Sequence, residues 1–149
     1  MENALSGIKE ISKGARIVNL ELIRYLVLEN LLPPSLNDFL GRGWRTWAKI
    51  KSDWELIIAY EVKKQKLSPI PATEQNPVHF WVTAEFGKGK RRFDWDNTIL
   101  SPKMIGDGLR KAGMIPNDSG IYIAHGSGEA VRSLDGKNRT VLYYSKVFA

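Results

Sequence analysis

Four aspartates follow one another at short intervals in a chain whose formal net charge is +6: Asp94, Asp96, Asp107 and Asp118. A basic run comes just before them, formed by Lys88, Lys90, Arg91 and Arg92. Carboxylates that lie close together destabilise one another unless another charge neutralises them. A hard divalent cation does so, and a phosphodiester then satisfies both the cation and the nearby lysines and arginines. The pattern therefore predicts a metal site that faces a nucleic acid.

Asp94 and Asp96 form an Asp-x-Asp motif at the expected end of a strand, where an extended chain directs both carboxylates to one side. Two such carboxylates can share a cation, and Asp118, from the start of the next strand, can complete the site. Sites with two metal ions hydrolyse phosphodiesters, and a lysine near the phosphate stabilises the charge that develops. The motif alone is also typical of metal-dependent glycosyltransferases. The wider set is more specific, because it adds Asn97, Lys103, Asp107 and Asp118.

Composition limits the class of protein and the kind of metal. The chain has no cysteine and two histidines, which excludes disulfides, thiol nucleophiles and cysteine-ligated zinc. Any metal is therefore expected to bind oxygen atoms, which favours Mg²⁺, with Mn²⁺ as a substitute. No apolar run reaches the ~20 residues of a membrane span, and the N-terminus lacks the pattern of a signal peptide. With a pI of about 9.6, we expect a cytoplasmic protein that binds nucleic acid rather than membranes.

The elements that position these residues are expected to form one α+β domain over residues 16–149, preceded by a flexible N-terminal arm at residues 1–15. The arm contains Gly7 and Gly14 and would form, at most, a short and weakly held helix. Residues 16–29 predict a long strand, in which the apolar alternation changes phase near Ile23 and indicates a bulge. Residues 46–66 predict an amphipathic helix, and residues 78–86 a strand with clean alternation.

The second half of the chain predicts one more helix and two more strands. Ser101 and Pro102 are typical of a helix start, and Gly113 of a helix end. Residues 120–126 and 139–147 predict strands, and the turn residues at 133–138 suggest that they form a hairpin. The expected order is β-α-β-α-β-β, with two helices packed on one mixed sheet.

Further basic residues are candidates for contacts with DNA phosphates. Arg42 and Arg45 lie in a glycine-flanked loop before the first helix, and the polar face of that helix carries Lys49, Lys51, Lys63, Lys64 and Lys66. Those helix lysines are interpreted either as a solvated face or as a phosphate-contacting surface. The five tryptophans are expected mostly in the core, although Trp95 and Phe93 could instead stack on an unpaired base.

Lys103 is placed unusually, because a cation in the first turn of a helix is disfavoured by the helix dipole. A nearby anion, either the aspartates or a bound phosphate, would explain it. Asp107 follows one turn later on the same face, so a simple i,i+4 ion pair is the alternative explanation for both residues.

From about Leu26 to Lys146, the sequence resembles the RusA family of Holliday junction resolvases. The resemblance rests on Pro33-Pro34-Ser35 with Asn37, the basic run into Asp94-Trp95-Asp96-Asn97, Lys103, Asp107-Gly108-Leu109, Ala112-Gly113, and Asp118-Ser119. It implies that Asp94, Asp96 and Asp118 bind magnesium and are catalytic, that Lys103 is the catalytic lysine, and that Asn97 and Asp107 support the site. Two departures are that Asn117 stands where the family usually has a second acidic residue, and that Lys103 lies further from Asn97 than in the family's bacterial type member.

The resemblance further implies a RusA-like fold and a homodimer, encoded by a bacterium or phage, that nicks four-way DNA junctions symmetrically, one cut per subunit. Two alternatives remain open at this point. One is a non-catalytic nucleic-acid-binding module whose acidic cluster is structural. The other is a nuclease of the same fold that prefers flaps or replication forks.

Overall fold

The computed structural model describes residues 7–13, 16–41, 43–89, 101–117 and 122–146. Within them the strands are β1 (Gly7–Lys13), β2 (Arg16–Glu29), β3 (Val78–Phe86), β4 (Ile123–Arg132) and β5 (Arg139–Lys146). The helices are α1 (Leu36–Leu40), α2 (Trp44–Lys64) and α3 (Ser101–Lys111). The strands form one mixed sheet in the order β1-β2-β5-β3-β4. The predicted α+β architecture, with two long helices on a mixed sheet, is confirmed.

β1 lies inside the segment for which an arm was predicted. It pairs antiparallel with the first half of β2, from Gly7 opposite Leu22 to Lys13 opposite Arg16. Side-chain periodicity did not predict this strand, because its isoleucines are three residues apart and do not alternate. A strand of this kind is defined by backbone pairing with its neighbour rather than by its own side-chain pattern.

β2 has the predicted bulge, which lies between Arg24 and Leu26 in its pairing with β5. Leu26 and Leu28 are fully buried beyond the bulge. The second half of β2 extends beyond the residues that pair with β1. The side-chain amide of Gln65 forms hydrogen bonds with the backbone of this second half. Gln65 Nε2 donates to the Val27 carbonyl oxygen at 2.6 Å, and Gln65 Oε1 accepts from the Val27 amide at 3.3 Å. The Gln65 side chain thus takes the place of a neighbouring strand.

The predicted hairpin of the last two strands is wrong, because β3 lies between β4 and β5. β3 and β4 are parallel, so α3 serves as the crossover that a parallel pair requires. β5 then fills the space between β2 and β3 and is antiparallel to both. Turn residues at 133–138 indicated a reversal of the chain, but they could not indicate which strand comes next to β5.

The loop at 133–138 crosses the end of β3 and is fixed to it by hydrogen bonds. The Ser133 amide donates to the Phe86 carbonyl oxygen at 2.9 Å, and the Gly87 amide donates to Asn138 Oδ1 at 2.7 Å. A Cβ atom at Gly87 would clash with the carbonyl group of Gly136. Glycine at position 87 therefore lets the loop pass over the strand end.

One hydrophobic core lies between the sheet and the two long helices. The buried side chains come from α2, α3 and the central strands, and they include Trp54, Ile58, Val62, Met104, Ile105, Leu109, Leu26, Phe80, Val82 and Leu142. α2 and α3 also touch each other closely, because a Cβ atom at Gly108 would clash with the Ile58 side chain. Among the described helices, none combines the length and apolar character needed to cross a membrane.

Candidate functional site

The structure describes four of the residues that the sequence analysis singled out as candidates. These are Arg45, Lys88, Lys103 and Asp107. The other candidates lie outside the described residues: Arg42, Lys90, Arg91, Arg92, Asp94, Asp96, Asn97 and Asp118. β3 ends at Phe86, and the expected position of Asp94 and Asp96 at a strand end lies outside the described residues.

α3 begins at Ser101, as predicted, and Gly113, with a φ of +75°, follows its end. Ser101 is 1% exposed, and its hydroxyl has no hydrogen-bond partner among the described residues, so it does not cap the helix as expected. Lys103 lies in the first turn and its side chain is 70% exposed. Its ammonium group therefore reaches the solvent from the helix end that already carries partial positive charge.

Asp107 is the centre of a charged cluster and is only 3% exposed. The i,i+4 ion pair that was the alternative explanation for Lys103 is present, with Lys103 Nζ 3.6 Å from Asp107 Oδ1. A second lysine, Lys51 of α2, approaches the other oxygen, with its Nζ 3.4 Å from Asp107 Oδ2. A buried carboxylate costs free energy unless it is paired, and Asp107 is paired with cations from two helices.

Sequence analysis placed Lys51 only among the helix lysines and did not connect it with Asp107. The two residues are far apart in the chain, and their closeness depends on how α2 packs against α3. Gly108 permits that packing, because the absence of a side chain lets α3 approach Ile58. Ile58 follows Lys51 by two helical turns, so both residues lie on the same face of α2.

Lys111 and Glu55 form a second ion pair between α2 and α3, with the Lys111 Nζ 2.7 Å from Glu55 Oε2. Glu55 follows Lys51 by one turn of α2, and Lys111 follows Asp107 by one turn of α3. This pair contains one positive and one negative charge, whereas the neighbouring cluster contains two ammonium groups and one carboxylate. The two clusters differ in net charge although both join the same helices.

The two described basic candidates outside this cluster are both exposed. Arg45 lies in the first turn of α2, with its guanidinium carbon 5.4 Å from the centroid of the Trp44 ring. Lys88 lies in the turn that follows β3. Trp44 is 76% exposed, which contradicts its expected place in the core, whereas Trp54 is buried as expected.

His79 is a buried histidine on β3. It lies on the face opposite to Phe80, is 6% exposed, and its Nε2 is 3.2 Å from Ser127 Oγ. Its ring also stacks on Trp81, with the ring centroids 5.9 Å apart.

The start of α3 lies beside the first half of β4. A Cβ atom at Gly126 would be 3.0 Å from Pro102 Cβ. The segment that contains Asp94, Asp96 and Asn97 leads to Ser101, next to Pro102, and the segment that contains Asp118 leads to Tyr122, four residues before Gly126. Among the described residues, no group of three or more histidine, aspartate or glutamate side chains has the geometry of a metal site.

Compared with known proteins, the chain matches no protein-family model and no functionally curated protein.

Proposed function

We propose that the protein is a magnesium-dependent endodeoxyribonuclease that acts as a homodimer and resolves four-way DNA junctions by paired symmetric nicks. The observation that carries the proposal is the pairing of a buried acid, Asp107, with Lys103 at the exposed start of α3. This agrees with the roles that the resemblance to RusA resolvases implies for the two residues. The chain's charge of +6 favours a polyanionic substrate.

The neighbourhood of Pro102 and Gly126 supports a site that combines three aspartates. Asn97 is four residues from Ser101, and Asp118 is four residues from Tyr122. Four residues span at most about 14 Å of chain. Asn97 is therefore within about 14 Å of the start of α3, and Asp118 is within about 14 Å of the residue before β4.

Asp94, Asp96 and Asp118 would hold the magnesium ion, because their carboxylate oxygens are the ligand type that this ion prefers. When it is bound, magnesium supplies Lewis-acid polarisation of the phosphodiester. Lys103 contributes a positive charge that stabilises negative charge on the phosphate oxygens, and Asp107 restricts where its ammonium group lies. The exposed Arg45 and Lys88 attract the DNA backbone.

The test uses labelled four-way junctions, with flaps and replication forks of the same sequences as competing substrates. With magnesium, we expect wild-type protein to make paired nicks in junctions. Asp96→Asn is expected to lower the cleavage rate at least roughly 100-fold, since losing a metal ligand removes several kcal/mol of transition-state stabilisation. Junction binding by this variant should persist.

Two other outcomes distinguish the alternatives. Wild-type protein that binds junctions but never cuts with magnesium or manganese is a binding module rather than an enzyme. In that case Asp107 is structural, which its burial and ion pairs alone would explain. If the protein cuts flaps or forks faster than junctions, the proposed nuclease activity stands but its preferred substrate is a flap or a fork.

A further inference from the structure

We propose that Lys51 and Lys103, held by Asp107, together bind one backbone phosphate of the DNA. The inference rests on the proposed function for the identity of the ligand, and it adds a residue of α2 to the DNA-binding site. Each of the two carboxylate oxygens of Asp107 lies within ion-pair distance of one lysine ammonium group. The two ammonium groups are thereby kept near each other on the same side of α3.

The charges of the cluster do not balance. Within the described part of the chain, Asp107 is the ion-pair partner of both lysines, so two positive charges meet one negative charge. The start of α3 adds partial positive charge, because its first backbone amides have no partner within the helix. In the proposed site the charges of Asp94, Asp96 and Asp118 are directed to magnesium, so the excess charge of the described cluster is complementary to a phosphodiester, which carries one negative charge.

The exposure of the three side chains differs according to the role that each is proposed to have. The Asp107 side chain is 5% exposed, whereas those of Lys51 and Lys103 are 42% and 70% exposed. An ammonium group has three donors, and the contacts with Asp107 leave donors available on each lysine. Asp107 is therefore a positioning residue, and the two lysines present their free donors to the solvent.

The same face of α2 continues outward from the core. Ile58 is buried against α3, Lys51 is two turns earlier, and Trp44 lies two further turns back with 76% of its surface exposed. Along this face the side chains thus change from the buried Ile58 to the partly exposed Lys51 and the exposed Trp44.

Salt dependence of DNA binding tests the inference, because each neutralised phosphate contributes about 0.9 to the slope of log K against log salt concentration. Fluorescence anisotropy with a labelled four-way junction would be measured in EDTA, where no cleavage occurs, over a series of NaCl concentrations. The variants are Lys51→Gln, Lys103→Gln and the double variant. Glutamine keeps a donor for Asp107 and removes the charge.

We expect the double variant to lower the slope by about one, which is the loss of a single phosphate. Each single variant should weaken binding at moderate salt by up to about fivefold, the upper value for an exposed ion pair. Lys111→Gln is the matched control, since it also removes one lysine and one ion pair between α2 and α3. It should keep the wild-type slope.

The inference would be overturned if the double variant had the same slope as Lys111→Gln. It would also be overturned if the slope of the double variant fell by about two, because that indicates two separate phosphates. Thermal melting followed by circular dichroism shows whether each variant is folded, and Lys51→Arg and Lys103→Arg provide folded variants that should retain the slope. Wild-type protein that binds and cuts junctions while the double variant keeps its slope overturns the lysine pair alone. If wild-type protein binds junctions but never cuts them, the proposed nuclease activity is overturned. The salt-dependence slope of the double variant then still tests whether Lys51 and Lys103 bind one phosphate.

Discussion

Asp107 shows how the burial of one residue changes the interpretation of a sequence pattern. An i,i+4 lysine–aspartate pair on a solvated helix contributes a few tenths of a kcal/mol. Asp107, however, is 3% exposed and pairs with a lysine from each of two helices. Removing the charge of a buried carboxylate has a much larger effect, because its partners lose an acceptor that water does not fully replace.

Asp107→Asn is therefore expected to lower the free energy of unfolding by about 2 kcal/mol. Asp53→Asn is the matched control, because Asp53 pairs with Lys49 at 2.7 Å on the exposed face of α2. That control should cost less than about 1 kcal/mol. Urea unfolding of both variants measures the difference. Equal losses would show that the inter-helix cluster contributes no more than a surface pair.

At the scale of elements, the contact between α2 and α3 brings Lys51 to Asp107. At this contact Gly108 faces Ile58, which is completely buried. A Cβ atom at Gly108 would meet the Cβ and Cγ1 atoms of Ile58 as well as its end methyl. By letting α2 and α3 approach each other, Gly108 also brings Lys51 close to Asp107, although this ion pair is not part of the contact between Gly108 and Ile58.

Gly108→Ala tests this contact, since two effects of opposite sign compete. Alanine gains about 1 kcal/mol of helix propensity over glycine, while overpacking costs roughly 1–3 kcal/mol. We expect the clash to win, with a net loss of about 1 kcal/mol in the free energy of unfolding. In the background of Ile58→Val, which removes the end methyl, the same change should be neutral or stabilising. A stabilising effect in the wild-type background would contradict the close packing.

At the scale of the whole molecule, Arg139 ties the inserted strand β5 to its surroundings. Its guanidinium is 3.3 Å from Glu29 Oε2 on β2 and 3.3 Å from Glu85 Oε1 on β3, and it also bonds to Asp135 in the crossing loop. The hydrogen bond from Arg139, with further bonds from Ser133 and the Lys137 amide, holds the pKa of Asp135 well below its usual range. A lowered pKa means that folding favours the charged carboxylate.

The resulting stabilisation is present above the ordinary Asp pKa of 3.8 and is lost as the pH falls below it toward the lowered value. Asp135→Asn should therefore melt at a lower temperature than wild type at neutral pH. The difference should stay constant down to about pH 5 and shrink below about pH 4. Melting curves across this range measure it. A difference that stays the same at about pH 3 would contradict a charge-dependent role.

Local patterns predicted the α+β class, the long bulged strand, the long helix and the start of α3 at Ser101, because apolar periodicity and the proline at position 102 act within one segment. The pairing of Lys103 with Asp107, one helical turn apart, was one of two explanations that the sequence left open. The strand order and the contact of Lys51 with Asp107 were not predictable in this way. Both depend on packing between segments that are distant in the chain, and local side-chain patterns do not record which distant surface will cover them.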